Sequence, residues 1–269
     1  MIRLIVTDLD GTLLDTNREI PAHNREAIRK AVEGGIQLGL ASGRMHSELT
    51  AVMNELGEEA HRISQNGAFV YTKEEKLLDS KAFDPEVSVQ LHQITREYDF
   101  ATMICVDQTV YVEKRSAAVD ALQERMFTKF VLEPNVGELI KRQEIVPCKF
   151  SLFGNMDSLL QLRDEVEKQP YSTEVDPVVS DRDCLDLMPK DVSKGNGLRV
   201  LLQELGLTTD EVACIGDSFN DVSMFEVTPH SFAMSHSLPE LRAHAKHEVE
   251  DVASAIEWVL QYNQARATT

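Results

Sequence analysis

Two carboxylates leave one apolar run together: Asp8 and Asp10, in Asp8-Leu9-Asp10-Gly11-Thr12-Leu13-Leu14-Asp15. Acids this close need a cation or a shared proton to be tolerated. A second acid pair stands in Gly216-Asp217-Ser218-Phe219-Asn220-Asp221, where Asp217 and Asp221 are four residues apart and, with Asp221 in the first turn of a helix, both reach one ion. Such oxygen donors, with no His or Cys among them, favour Mg²⁺ over Zn²⁺. Two further segments suit an anion. In Ser42-Gly43-Arg44 a small hydroxyl followed by glycine lets a side chain and a backbone N–H face a phosphate oxygen at the start of a helix. In Val192-Ser193-Lys194-Gly195 a cation falls in the first turn of a helix, against the positive end of the helix dipole, so an anionic group is expected beside Lys194. Lys190, four residues earlier, competes for that role. Asn220 is placed to fix the lysine or the loop by hydrogen bonds.

The elements that must hold these residues are legible around them. Ile2 to Thr7 is short, β-branched and free of Pro and Gly, as expected of a strand buried on both faces of a parallel sheet. Its carboxyl end is where open α/β sheets bind ligands, and Gly11 permits the turn that brings both acids toward one reacting group. Ile20-Pro21 opens a helix whose apolar face is Ala27, Ile28, Ala31 and Val32, stopped by Gly34-Gly35. Ile36 to Ala41 reads as the second strand, followed by a helix with Leu49, Val52, Met53 and Leu56 on one face. Arg62-Ile63-Ser64 is a third strand, and Asn66-Gly67 before Ala68-Phe69-Val70-Tyr71 signals a hairpin, with Leu77-Leu78 as its partner.

The pattern then changes. It becomes helices mixed with short strands: a helix from Pro85 to Tyr98, strands near Ala101–Val106 and Val110–Val112, a helix around Ala117–Phe127, and strands near Cys148–Phe153 and Asp183–Leu187. Helix, strand and helix resume from Ser193, with Leu198, Leu201, Leu202 and Leu205 on one face, the strand Val212–Ile215, short strands at Phe232–Met234 and Glu248-Val249, and a last helix from Val252 to Tyr262. The division is therefore a core of residues 1–82 and 186–269, Rossmann-like with a parallel sheet, and an inserted α/β domain of residues 83–185.

Composition narrows the function classes. In 269 residues there are 45 acidic against 27 basic side chains, a formal charge of -18, which disfavours nucleic acid and anionic membrane surfaces as partners. No apolar stretch reaches the roughly 18 residues of a membrane span, and the chain begins with a strand pattern where a signal peptide would have a charged region. Cys105, Cys148, Cys184 and Cys214 show no metal or redox spacing and read as reduced and mostly buried. A cytoplasmic enzyme is expected, with no sequence signal for oligomeric state.

The Asp8–Asp15 and Gly216–Asp221 segments, with Ser42-Gly43-Arg44 and Lys194 between them in that order, resemble the four motifs of the haloacid dehalogenase-like superfamily. The resemblance covers the whole chain. An insert after the third core strand, and the Asn66-Gly67 turn at the site entrance, are similar to the Cof-type phosphatase branch with its α/β cap. It implies that Asp8 attacks phosphorus, Asp10 is the acid and base, Ser42, Gly43 and Lys194 hold phosphate oxygens, and Arg44, Asn66, Gly67 and Asn220 support them. It further implies Mg²⁺ on Asp8, Asp217, Asp221 and the Asp10 carbonyl, and a cap that selects among sugar phosphates and similar phosphomonoesters. A phosphomutase and a non-catalytic Mg²⁺ or phosphate-binding regulator are the alternatives. One departure stands out: where Cof-type chains carry a segment resembling V-A-M-G-N-A, this chain reads Phe232-Ala233-Met234-Ser235-His236-Ser237. His230 and His236 are expected on the surface, and the usual acidic loop before the last helix is shortened to Glu248–Asp251.

Overall fold

The structure is a computed structural model that describes residues 1–126 and 128–267. The chain divides into two compact units, Met1–Ser80 together with the chain from Ser193 onward, and Lys81–Val192. The first unit opens with β1 (Leu4–Thr7), α1 (Ala22–Glu33), β2 (Gln37–Ala41), α2 (His46–Leu56), β3 (Ala60–Ser64), β4 (Phe69–Tyr71) and β5 (Leu77–Ser80). The inserted unit follows with α3 (Pro85–Thr95), β6 (Ala101–Cys105), β7 (Val110–Val112), α4 (Ala117–Arg125), β8 (Phe130–Leu132), α5 (Val136–Lys141), β9 (Lys149–Phe153), α6 (Met156–Val166), β10 (Val175–Asp181) and β11 (Cys184–Pro189). The first unit is completed by α7 (Lys194–Leu205), β12 (Val212–Gly216), α8 (Val222–Phe225), β13 (His230–Met234), α9 (Pro239–Arg242), β14 (His247–Val249) and α10 (Val252–Ala267).

The first unit is an eight-stranded sheet in the order β14-β13-β12-β1-β2-β3-β4-β5. From β14 to β3 every pairing is parallel, and β4 and β5 close the sheet as antiparallel strands. Alternation along β1 explains why both sides are helix-covered. Ile5 packs with Leu38, Leu40 and Ile215 under Ile28, Leu49 and Ile256 of α1, α2 and α10. Leu4 and Val6 pack on the opposite face with Cys214 and Ile63 under Leu198 and Leu201 of α7. Because β1 lies between β2 and β12, the chain leaves it in opposite directions on its two sides. The ends of β1 and β12 thus meet at the switch point of the sheet, where ligand crevices form.

The inserted unit is a six-stranded sheet, β10-β11-β9-β6-β7-β8, antiparallel except for β7 with β8. Its apolar layer is Phe150, Leu152, Ile104, Leu185 and Leu187 beneath Val87, Leu91, Ile140, Leu159 and Leu162 of α3, α5 and α6. The return crossing differs from the sequence division at residues 185 and 186. The ladder of β11 with β10 continues to Pro189, so a boundary there would cut a paired strand, and the unit ends at Val192. The helix expected from Pro85 to Tyr98 ends at Thr95, and α4 covers the expected helix to Arg125, with Phe127 outside the described residues. α5, α6, β8 and β10 are additional to the sequence reading.

His230 corrects an expectation. It is buried in β13, with its ring 5.8 Å from Trp258 and 4.8 Å from Tyr262. Its ring packs edge-on and tilted against these aromatics in the layer under α10, where an imidazole serves as a flat half-polar filler. All four cysteines are free and buried, as expected. Among the described residues no helix is long and apolar enough to cross a membrane.

His61 in β3 makes the stability of the first unit pH-dependent. Fully buried, its Nδ1 accepts from the Lys73 backbone N–H at 3.1 Å and its Nε2 lies 3.0 Å from Gln37 Oε1. A proton on Nδ1 would set two donors against each other, and burial holds the imidazole down to about 4. The unfolded chain therefore takes up the proton first as pH falls below about 6.5. Stability present above that value is lost progressively toward pH 4, by up to about 3 kcal/mol. The urea midpoint should drop more between pH 7.5 and 4.5 in the parent chain than in a His61→Gln variant. An equal drop in both would assign the acid sensitivity to other groups.

Candidate active site

The sequence-selected residues of the core sit at or just after strand ends of the first unit, except Lys194, which opens α7. Asp8 follows β1 and extends its ladder, its N–H donating to Ile215 O at 2.9 Å, and it is buried. Gly11 then turns with φ +76°, and a Cβ there would run into the Asp217 carboxylate. Only glycine allows the first loop to come so close to the fourth. Thr12 Oγ1 donates to Asp217 Oδ1 at 2.9 Å, tying the two loops. Asp8, Asp217 and Asp221 each bring a carboxylate oxygen within 4.8 Å of the others.

Lys194 answers the expectation that an anion must lie beside it. Ser193 caps α7 by accepting from Asn196 N–H, and Lys194, the first helical residue, is buried with Nζ 2.7 Å from both Asp8 Oδ1 and Asp221 Oδ1. Burial opposes its charge, but Asp221 and Asp8 outweigh it and hold the ammonium above the usual lysine range. Lys190, the competitor, pairs instead with Asp176 on the inserted unit. The other oxygen of Asp221 accepts the backbone N–H groups of Asp217 and Ser218, each at 3.0 Å. Asp221 therefore fixes the loop that presents Asp217 as well as the lysine.

One ammonium faces three carboxylates here. Burial, then Asp221 and Asp217, push Asp8 well above the ordinary aspartate range against the pull of Lys194, and burial with Asp221 likewise raises Asp217. The uncompensated charge is that of one divalent cation. The donor set is all oxygen and mostly buried, so the residues fit a hard divalent ion.

Asp10 is held apart from that cluster. Arg44 binds it through two parallel hydrogen bonds, Nε to Oδ2 at 2.7 Å and NH2 to Oδ1 at 2.6 Å. Burial would raise the Asp10 pKa, yet the Arg44 bonds and charge outweigh it and lower it. The Asp10 carboxylate is thus no part of the three-carboxylate group. Ser42 is buried at the end of β2, its Oγ accepting from Arg44 N–H at 3.2 Å.

The 65–67 turn supports this floor. Gln65 donates its N–H to Arg44 O and Asn66 its N–H to Ser42 O, both at 2.9 Å. The turn is wider than a two-residue hairpin: Ser64 of β3 pairs with Phe69 of β4, leaving the four residues 65–68 between them, with Gln65 and Asn66 both at positive φ. At Gly67, with φ +102°, a Cβ would strike Ser193 O. Asn220 Nδ2 donates to Asn66 Oδ1 at 3.1 Å, so of its two expected roles it takes the loop. Gly43 lies against the same amide.

Three contributors escaped the sequence reading. Thr12 stood inside a motif and could have been found as its one hydroxyl residue. Ser223, which accepts Gly195 N–H and donates to Asn220 O, had no local signal. His236 is exposed as expected, yet its Nε2 stands 3.9 Å from Asp217 Oδ2, because β13 is the parallel neighbour of β12 and their following loops lie side by side.

A sequence profile of the haloacid dehalogenase-like hydrolases matches residues 5–257. The chain belongs to that family. Among its haloacid dehalogenase-like relatives, a 5-amino-6-(5-phospho-D-ribitylamino)uracil phosphatase of Bacillus subtilis, YwtE, is 26% identical, with 90% of each chain covered. An HMP-PP phosphatase of Citrobacter koseri is 27% identical, covering 92% of this chain and 89% of that one. A haloacid dehalogenase-like hydrolase of Bacteroides thetaiotaomicron superposes with a TM-score of 0.81 at 26% identity, over 96% of this chain and all (100%) of that chain. Another, from B. subtilis, reaches 0.86 at 21% identity over 95% and 99% of the two chains, and shows the shared fold. The core with an inserted α/β unit is the architecture of Cof-type haloacid dehalogenase-like phosphatases.

Proposed function

We propose that this Cof-type haloacid dehalogenase-like phosphatase hydrolyses small phosphomonoesters, sugar phosphates or similar metabolites, through a phosphoryl group held on Asp8. The observation that carries the reading is the division of labour among the acids. Asp8 is inside a buried group with Lys194, Asp217 and Asp221, and Asp10 is outside it on Arg44. An Asp8 oxygen attacks phosphorus as the P–O bond to the alcohol breaks, giving an aspartyl phosphate. Asp10, released from Arg44 and protonated, gives its proton to the leaving oxygen. It then takes a proton from the water that cleaves the aspartyl phosphate and frees inorganic phosphate. Ser42, the Gly43 backbone and Lys194 hold the non-reacting oxygens.

Asp8, Asp217 and Asp221, with the Asp10 carbonyl, would hold Mg²⁺, which when bound offsets the charge between carboxylate and phosphate. The inserted unit is assigned the choice of leaving group, and the crossings near Lys81 and Val192 are its hinges. A cytoplasmic location accords with four free cysteines. The direct test is phosphate release from p-nitrophenyl phosphate and from a panel of sugar, nucleotide and cofactor phosphates with Mg²⁺. Release from the aryl ester and from a subset of the panel is expected. Retention of the phosphoryl group on the sugar would indicate a mutase, and no turnover of any ester would indicate a binding protein.

A further inference from the structure

On the inserted unit, the C-terminal end of α3, β6, the residues after β7 and α4 enclose a cavity of about 380 Å³. That is within the range of small-ligand pockets. One side is apolar, formed by Phe100, Ile104 and Val119, with Phe100 held in place by a stack on Tyr98 at 5.0 Å. The other is polar, formed by His92, Arg96 and Glu113. The reaction proposed above uses none of these residues.

His92 is the informative member. Its side chain is only 8% exposed, and its ring lies so close to Gly137 of α5 that a Cβ there would strike it, which fixes its direction. Nε2 is buried without a hydrogen-bond partner, 3.5 Å from Glu113 Oε2. That separation is too long for a hydrogen bond of ordinary length. The same Oε2 lies 3.2 Å from Arg96 Nε. Burial, partly countered by Glu113, holds the imidazole below its ordinary value and favours the neutral ring, and in the tautomer with its hydrogen on Nδ1 the buried Nε2 is an acceptor left unused. An unmade hydrogen bond at a buried atom is a standing cost that a bound donor removes.

The group that would complete this arrangement is cationic and donates several hydrogens. An ammonium between Nε2 and the Glu113 carboxylate meets two acceptors, and the final carbonyls of α3 favour positive charge there. The mostly exposed Arg96 guanidinium beside it offers paired donors to a carboxylate. Acid and base stand side by side, with an apolar wall next to them. We propose that this cavity binds an α-amino acid with an apolar side chain, its ammonium on His92 and Glu113, its carboxylate on Arg96 and its side chain against Phe100, Ile104 and Val119.

Calorimetric titration of the full chain with L-phenylalanine and L-leucine tests this. Saturable binding is expected, weakened at least about tenfold by Glu113→Gln and by Arg96→Met. Phenethylamine, which lacks the carboxylate, and 3-phenylpropionate, which lacks the ammonium, should bind at least about tenfold more weakly than L-phenylalanine. Unchanged hydrolysis of p-nitrophenyl phosphate by both variants would show that they fold. Absence of saturation with every apolar amino acid up to about 10 mM would overturn the proposal. So would equal affinity of the parent and the Glu113→Gln variant, or equal affinity for phenethylamine.

Discussion

Asp8→Asn should lower kcat for p-nitrophenyl phosphate by on the order of 10⁴–10⁶, because the amide keeps the shape of the carboxylate but offers no nucleophilic oxygen. The fold should survive. Asp8 is one of three carboxylates around one ammonium, and its replacement relieves repulsion while Asp221 still pairs Lys194 at 2.7 Å. Replacing Asp221 would be a harsher change, since one of its oxygens also holds two backbone N–H groups. The variant's kcat and urea midpoint separate the two effects. A folded Asp8→Asn protein with more than a few per cent of parental activity would remove Asp8 from the nucleophile's role.

Chelation should have a comparably large effect. Treatment with EDTA is expected to lower the rate by about 10³-fold or more, with recovery on adding Mg²⁺, since offsetting charge between two anions contributes several kcal/mol at the barrier. The bound cation also stabilises the fold by mass action, so the melting temperature should rise with Mg²⁺ concentration. In Asp217→Ala that rise should vanish or need far more Mg²⁺. Full activity in metal-free protein, or an Mg²⁺-independent melting temperature, would mean that Lys194 alone balances the cluster.

The parts that the sequence made legible are those governed by local rules. The β-branched run before Asp8, the Ser193 cap and the leucine stripe of α7 each depend on near neighbours, and all appear where expected. Lys194 was legible through a conflict: a cation at the wrong end of a helix dipole demanded an anion, and the structure supplies Asp8 and Asp221. Contacts across the fold were not legible. The Arg44–Asp10 pair joins loops 34 residues apart, and the reach of His236 toward Asp217 depends on the order of strands in the sheet. In the inserted unit, α5 is a helix of 6 residues and β8 a strand of 3, too short to show a period. β11 ran past the boundary assigned to it because its partners β9 and β10, not its own residues, fix its length.

The central claim is that the phosphoryl group passes through Asp8. It is tested most directly by trapping in an Asp10→Asn variant, which keeps the nucleophile but lacks the base that activates water for the second step. The variant would be mixed with p-nitrophenyl phosphate, whose leaving group needs little protonation, quenched in acid, digested and read by mass spectrometry. The account predicts a phosphorylated peptide with the modification on Asp8, labile to hydroxylamine, and its loss in Asp8→Asn/Asp10→Asn. A burst of p-nitrophenol with no phosphopeptide, or a phosphoryl group on any other residue, would contradict it.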